Sequence, residues 1–290
     1  MTDDILQRSA ADDTNHDQRP APFVGDSAER LHPRFDIEVL EVDKLVARTT
    51  MAMPLASKRS PLTGAIALGS LAILIDSVGG LTNHLRRAED EWGVSSELTV
   101  DVCSGFVRAV EERPDIPVVA HAWPVGPKEH SAFAACSLML GGVVVGTGSV
   151  RSYYLPAAGV QREAQYYPLA KTPSTSFAEM LGVRLDRTAG STPIISQLAD
   201  PGIKNALGIV NGGVAAAGAE LAASAAIHGA NGPAHTASFR VNFLRPFHAG
   251  GGAHYVGSVL RAGRNIALAE GNAINGDGSK AATVVVTAYR

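Results

Sequence analysis

Two stretches of the chain are apolar on nearly every side of a helix, and each is followed by a train of short segments in which apolar and polar residues alternate. Gly69 to His84 and Gly213 to His228 have helical length. Their unbroken run of aliphatic and small residues predicts burial all round rather than along one stripe. Ahead of the first helix, Phe35 to Met53 reads as strand and Ser57 to Thr63 as loop. Behind it, Ser95 to Val102, Val118 to Val125, Ser131 to Leu140 and Val143 to Leu155 have strand character, with Gly, Pro or charged breaks between them. The second half repeats the order. Gly182 to Leu198 is strand-like, Asp200 to Lys204 a loop, and after the helix come strands at Thr236 to Leu244, His254 to Leu260, Ile266 to Asn275 and Ala281 to Tyr289.

The repetition extends to single residues. Gly64, Gly69, Asp76 and His84 recur 144 positions later as Gly208, Gly213, Glu220 and His228. Self-similarity at that spacing predicts two copies of one domain in a single polypeptide, and 290 residues is ample for two. The expected class is α+β, each copy a strongly curved antiparallel sheet wrapped around its apolar helix. The expected division is a disordered tail over residues 1–30, a first domain over 31–160, a polar, Pro-containing linker over 161–175 and a second domain over 176–290.

Composition narrows the picture. The chain is 46% hydrophobic but only 6% aromatic and carries 30 Gly, so its interior is built from aliphatic and small residues that favour close backbone approach. A formal charge of −3 gives no basic footprint for nucleic acid. Cys103 and Cys136 stand in no metal or disulfide spacing, so neither a metal nor another cofactor is expected and a reducing, cytoplasmic setting is. Met1 to Pro20 lacks the basic start and apolar core of a secretory signal. Ser131 to Val150 is free of charge for 20 residues, the length of a membrane span. The Gly141-Gly142 pair in its middle predicts instead two strands joined by a tight hairpin.

The candidate chemistry lies at the helices. Gly212 and Gly213 open the second helix, where backbone N–H groups lack helical partners and sit at the positive end of the dipole; an oxyanion could be held there. Two turns into each helix stands a carboxylate, Asp76 or Glu220. Burial there would raise its pKa, and a hydroxyl on the next strand, Ser95 or Thr236, could hold it. Left without function, such carboxylates would serve only to fix helix register.

These residues resemble the pattern of the hotdog-fold acyl-CoA thioesterases, in particular the phenylacetate-pathway and 4-hydroxybenzoyl-CoA group. That pattern is Asn, then His-Gly-Gly, an acid nine positions after the His, Ser or Thr on the following strand, and an F-L-x-P run. Here Asn205, Asn211-Gly212-Gly213, Glu220, Thr236 and Phe243-Leu244-Arg245-Pro246 occupy those places. In the first half Pro61 replaces the Asn and Ala67-Leu68-Gly69 the His-Gly-Gly, while Asp76 and Ser95 are kept. The resemblance implies two hotdog domains in tandem and sites shared between them. One site would join Asn205, Asn211 and Gly212 to Asp76 and Ser95; its degenerate mate would join Pro61 and Leu68 to Glu220 and Thr236.

The implied reaction is hydrolysis of an acyl-CoA thioester. Asp76 would be base or nucleophile, Gly212 N–H the oxyanion donor, Asn205 a positioning group and Ser95 a support for the carboxylate. Gly213, Arg245 and Arg264 are expected to contact the substrate, the arginines through coenzyme A phosphates. His84 and His228 are expected at helix C-termini as favourable charges against the dipole. The expected assembly is a homo-oligomer of two or three chains, without nucleic-acid or membrane partners. A non-catalytic acyl-CoA or lipid-binding protein is the main alternative, and an enoyl-thioester hydratase a more remote one.

Overall fold

The computed structural model describes residues 28–157, 169–186 and 194–290. The first half comprises α1 (Ala28–Phe35), β1 (Glu38–Asp43), β2 (Arg48–Met53), α2 (Ser70–His84), β3 (Glu91–Val102), α3 (Phe106–Glu112), β4 (Val118–Val125), β5 (Ser131–Leu140) and β6 (Val143–Pro156). The second half comprises α4 (Phe177–Leu181), β7 (Val183–Asp186), β8 (Ile194–Gln197), a 3₁₀ turn at Pro201–Ile203, α5 (Gly212–Asn231), β9 (His235–Phe243), β10 (His254–Ala262), β11 (Ile266–Ile274) and β12 (Lys280–Tyr289).

All strands join one 12-stranded antiparallel sheet in the order β1-β2-β4-β5-β6-β3-β9-β12-β11-β10-β8-β7. Each half of that order is the other read backwards, and the halves meet where β3 pairs β9, from Glu97 opposite Asn242 to Asp101 opposite Ser238. Helix α2 packs on β2 to β6, α5 packs on β8 to β12, and the two helices pack on each other. This is the helix-in-sheet architecture expected from the repeat, present twice.

Alternation decides which face of each strand is inside. In β5 every second residue, from Ala132 to Leu140, is buried, as the period of two requires. The charge-free stretch 131–150 is the β5–β6 hairpin, turned by Gly141 at φ 57° and Gly142 at φ 82°; two positive φ values suit the right-handed twist of the flanking strands. The small residues of α5 are explained by proximity to the sheet. A Cβ on Gly271 of β11 would stand 1.9 Å from the Ala219 carbonyl oxygen, and one on Gly257 of β10 would stand 2.0 Å from that of Ala222.

Several expectations need correction. Phe35 to Met53 is not one strand but the end of α1 and a β1–β2 hairpin; the Asp43 side chain accepts the N–H groups of Leu45 and Val46 and turns the chain. Gly182 to Leu198 is likewise divided, into β7 and β8. Helices α1, α3 and α4 go beyond the expected elements, since each is too short for a clear period. Residues 28–30 of the expected tail belong to α1; the rest of the tail, and residues 161–168 of the expected linker, lie outside the described residues. Among the described residues no helix is long and apolar enough to cross a membrane.

Gly271→Ala forces α5 away from the sheet or bends β11. Overpacking of this kind costs about 1–3 kcal/mol, so thermal unfolding should show a clearly lowered midpoint, whereas alanine at Gly229, which has no neighbour within 4 Å, should leave it nearly unchanged.

Candidate active site

The side chain of Asp76 leaves α2 toward the first turn of α5. Its Oδ1 accepts the Ser95 hydroxyl of β3 at 2.7 Å, and its Oδ2 accepts the Gly213 N–H at 2.9 Å. Asn211 is the N-cap of α5, its Oδ1 accepting the Val214 N–H at 3.3 Å, and its amide is near enough to Asp76 to favour the ionised carboxylate. Burial pushes the Asp76 carboxyl above the usual carboxylate range, with the bonds from Ser95 and Gly213 and the Asn211 amide pulling back. Between the cap and Gly213 sits Gly212. Its N–H has no protein acceptor among the described residues, and a Cβ there would lie 3.2 Å from Asp76 Oδ2. A desolvated carboxylate therefore adjoins an unengaged helix-opening donor.

Both groups line a cavity of about 400 Å³, together with Ser95, Asn205, Asn211 and the Phe243 to Phe247 run. Its wall is mostly apolar with a few polar groups, the usual make-up of a small-molecule site. Asn205 is held by an Asx turn, its Oδ1 accepting the Leu207 N–H at 2.9 Å. Arg245 is exposed on the rim. Among the described residues no cluster of His, Cys, Asp or Glu could hold a metal ion.

The same arrangement exists in reverse. Glu220 of α5 reaches the first turn of α2, where its Oε2 accepts the Gly69 N–H at 3.0 Å while its Oε1 accepts the Thr236 hydroxyl at 2.7 Å. Burial raises its pKa also. The surroundings differ. Glu220 is 1% exposed against 8% for Asp76, and the space beside Glu220, Thr236 and Leu68 is about 10 Å³, room for roughly one water. Asp76 can meet a substrate; Glu220 cannot without rearrangement. Close helix contact is common to both: a Cβ on Gly213 would lie 2.7 Å from Ile73 Cα, and one on Gly69 would lie 2.9 Å from the Ala217 carbonyl oxygen.

The structure thus brings together Asp76, Ser95, Asn205, Asn211 and Gly212, and apart from them Glu220 and Thr236. Two expectations are corrected. The Gly213 N–H is taken by Asp76, and Gly213 is not on the cavity wall. Arg264 is not on the cavity wall: it is exposed in the β10–β11 turn, and the sheet order sets those strands away from the β3–β9 centre.

Three residues of the wall, His84, Trp92 and His32, go beyond the site the sequence suggests. His84 lines the cavity, where it accepts a hydrogen bond from Arg87 Nε at 3.0 Å and meets Trp92 edge-on at 5.3 Å. His32 also lines it from α1. The sequence signal for α1 is the Leu31 and Phe35 pair, one helical turn apart and both buried, but Pro33 between them argues against a helix and masks it.

Comparison with known proteins agrees with this architecture. Residues 207–282 match the model of the thioesterase superfamily. Among solved structures, the chain is similar to an acyl-CoA thioesterase II from Mycobacterium marinum, with a TM-score of 0.54 and 14% identity over 89% of this chain and 97% of that one. A hot dog fold protein of unknown function from Alicyclobacillus acidocaldarius gives 0.53 and 14% over 83% and 92%. A 12:0-ACP thioesterase from Umbellularia californica gives 0.52 and 10% over 83% and 92%. No curated protein sequence matches the chain. The chain is a tandem hotdog-fold protein, matched through residues 207–282 to the thioesterase superfamily.

Proposed function

We propose that the protein hydrolyses acyl-CoA thioesters in the cavity between its two hotdog repeats. The observation that carries this reading is the adjacency of a buried, hydrogen-bonded Asp76 carboxylate to the unengaged Gly212 N–H on the wall of a mostly apolar cavity of about 400 Å³. The thioester carbonyl oxygen would rest on Gly212 N–H, where the helix dipole and the donor stabilise the charge that develops as the carbonyl carbon becomes tetrahedral. Asp76 then either takes the proton of an attacking water or adds directly to that carbon. Both routes need it ionised. The tetrahedral species collapses with cleavage of the C–S bond and loss of coenzyme A thiolate, which takes up the proton, and in the direct route water then hydrolyses the acyl–Asp76 anhydride. Asn205 borders the same space and would orient water or thioester. Arg245, exposed on the rim, would meet a phosphate of coenzyme A.

Asp76→Asn keeps an acceptor for Gly213 N–H and lets Ser95 turn to accept from the new amide, so the fold should persist. Thiol release from acyl-CoA esters should fall by about 10²- to 10⁴-fold, the usual contribution of a general base. Wild-type turnover in the variant would remove Asp76 from the reaction. Tight acyl-CoA binding with no turnover in the unmodified protein would mark a binding protein instead.

The raised pKa of Asp76 sets a signed pH dependence. Its reactive form is ionised, so kcat/KM should climb as pH rises through a value above the ordinary aspartate range. The Ser95 hydroxyl favours the ionised form. In Ser95→Ala the acid limb should therefore move further toward high pH, and a limb that stays or moves down would contradict the hydrogen bond's role.

Glu220 provides the contrast. Its folded pKa is raised, so its ionisation in place weakens the fold: the contribution is fully present below the unfolded value and is lost as pH rises from there through the folded value. Gln at this position can accept from Gly69 N–H and donate to Thr236 Oγ1. Glu220→Gln should thus lose less melting temperature than the parent between mildly acidic and mildly alkaline buffer, while turnover persists.

A further inference from the structure

One wall of the cavity is α1. Buried Arg34 ties this helix to the second half, donating to the Glu179 carbonyl at 3.0 Å and to the Asp200 carboxylate at 2.5 Å, so it is a fixed wall. Leu31 and His32 face the cavity from α1, beside Met51, Val210 and Phe247, and all five are buried. Another part of the lining is open: Trp92 and Leu155 are paired across β3 and β6, and Leu155, Leu244 and Arg245 are exposed. The cavity wall therefore has an exposed end and a buried end, and α1 supplies part of the buried one.

At that end His32 stands out chemically. It is 8% exposed, it lines the cavity, and its imidazole has no hydrogen-bond partner among the described residues. Burial with nothing to offset it lowers its pKa to about 4, so the ring is neutral at ordinary pH and offers one donor and one acceptor. A plain hydrocarbon tail filling this end would strand both. A tail bearing an oxygen would satisfy one of them, and polar groups built into a pocket discriminate strongly against analogues that leave them unpaired.

We propose that His32 recognises a hydrogen-bonding oxygen on the acyl portion of the substrate, so that the preferred thioesters are hydroxylated or oxo-substituted acyl esters rather than unsubstituted ones. This rests on the thioester-hydrolysis reading of the same cavity.

The test compares coenzyme A esters of an unsubstituted, a β-hydroxy, a β-oxo and an ω-hydroxy fatty acid of one chain length, using kcat/KM for the parent, His32→Leu and His32→Gln. The parent should favour at least one oxygenated ester by about tenfold or more. His32→Leu should abolish that preference, the ratio of kcat/KM for the oxygenated to the unsubstituted ester falling to about one or below. His32→Gln, which keeps a donor and an acceptor, should retain part of it. A parent that prefers the unsubstituted ester, or a preference unchanged in His32→Leu, overturns the assignment. Should His32→Leu fail to fold, the parent ratio and His32→Gln decide: a ratio unaltered in that variant counts against His32. Failure of the hydrolysis reading shows separately, as wild-type turnover in Asp76→Asn or as no turnover of any ester. In that last case dissociation constants of the matching non-hydrolysable thioether analogues supply the same ratios and decide the role of His32 by the same criteria.

Discussion

Each central helix buries a carboxylate, and each carboxylate is held by the N-terminal backbone of the other helix. Asp76 accepts Gly213 N–H and Glu220 accepts Gly69 N–H. Hydrogen bonds to charged groups contribute about 1.5–3 kcal/mol each, and a carboxylate stranded without them in an apolar interior would be strongly unfavourable. The pair of bonds can form only if the helices cross at Gly69 and Gly213, where side chains would collide. That crossing in turn sets the two halves back to back, so that β3 and β9 lie side by side and the sheet continues through the middle of the molecule. Helix contact, sheet continuity and carboxylate placement are one constraint expressed three ways.

Within this near-symmetric frame a few substitutions make one side open and the other closed. Opposite Asp76, the chain before α5 carries Asn205 and the cap Asn211, and the Asx and cap bonds shape a polar rim around the cavity. Opposite Glu220 the corresponding stretch carries Pro61, Ala67 and Leu68; Gly69, as N-cap of α2, makes no side-chain bond, and the space shrinks to about 10 Å³. The two carboxylates have nearly the same bonding and quite different access. Access, more than local bonding, distinguishes the side proposed to be catalytic.

Much of this is legible in the sequence for a definite reason. The 144-residue recurrence is a backbone signal: Gly64 and Gly208 sit at positive φ, Gly69 and Gly213 lie where the helices touch, and the acids meet a helix N-terminus, each of which leaves little freedom of residue type. Strand β5 is legible because its alternation is undisturbed, and β6 because the Gly141-Gly142 turn marks its start. Elements whose identity depends on distant partners are not. Helix α1 carries a proline and is held by Arg34 contacts more than 140 residues away, and the place of His84 on the cavity wall, in edge-on contact with Trp92, appears only in the folded chain. The assignment of Gly213 failed for a related reason. Two adjacent glycine N–H groups look alike in sequence, and only the reach of Asp76 across the helix crossing shows which of them is engaged.

The continuous sheet has an evolutionary corollary. When two identical subunits meet about a twofold axis, any mutation appears on both sides of the axis at once, so one cleft cannot be lost while its counterpart is kept. Joining two copies in one polypeptide removes that coupling, and here the junction through β3 and β9 holds them in register. In this chain the cleft beside Glu220 is filled, while the one beside Asp76 is lined by polar residues and walled by α1, whose counterpart in the second half is the shorter α4.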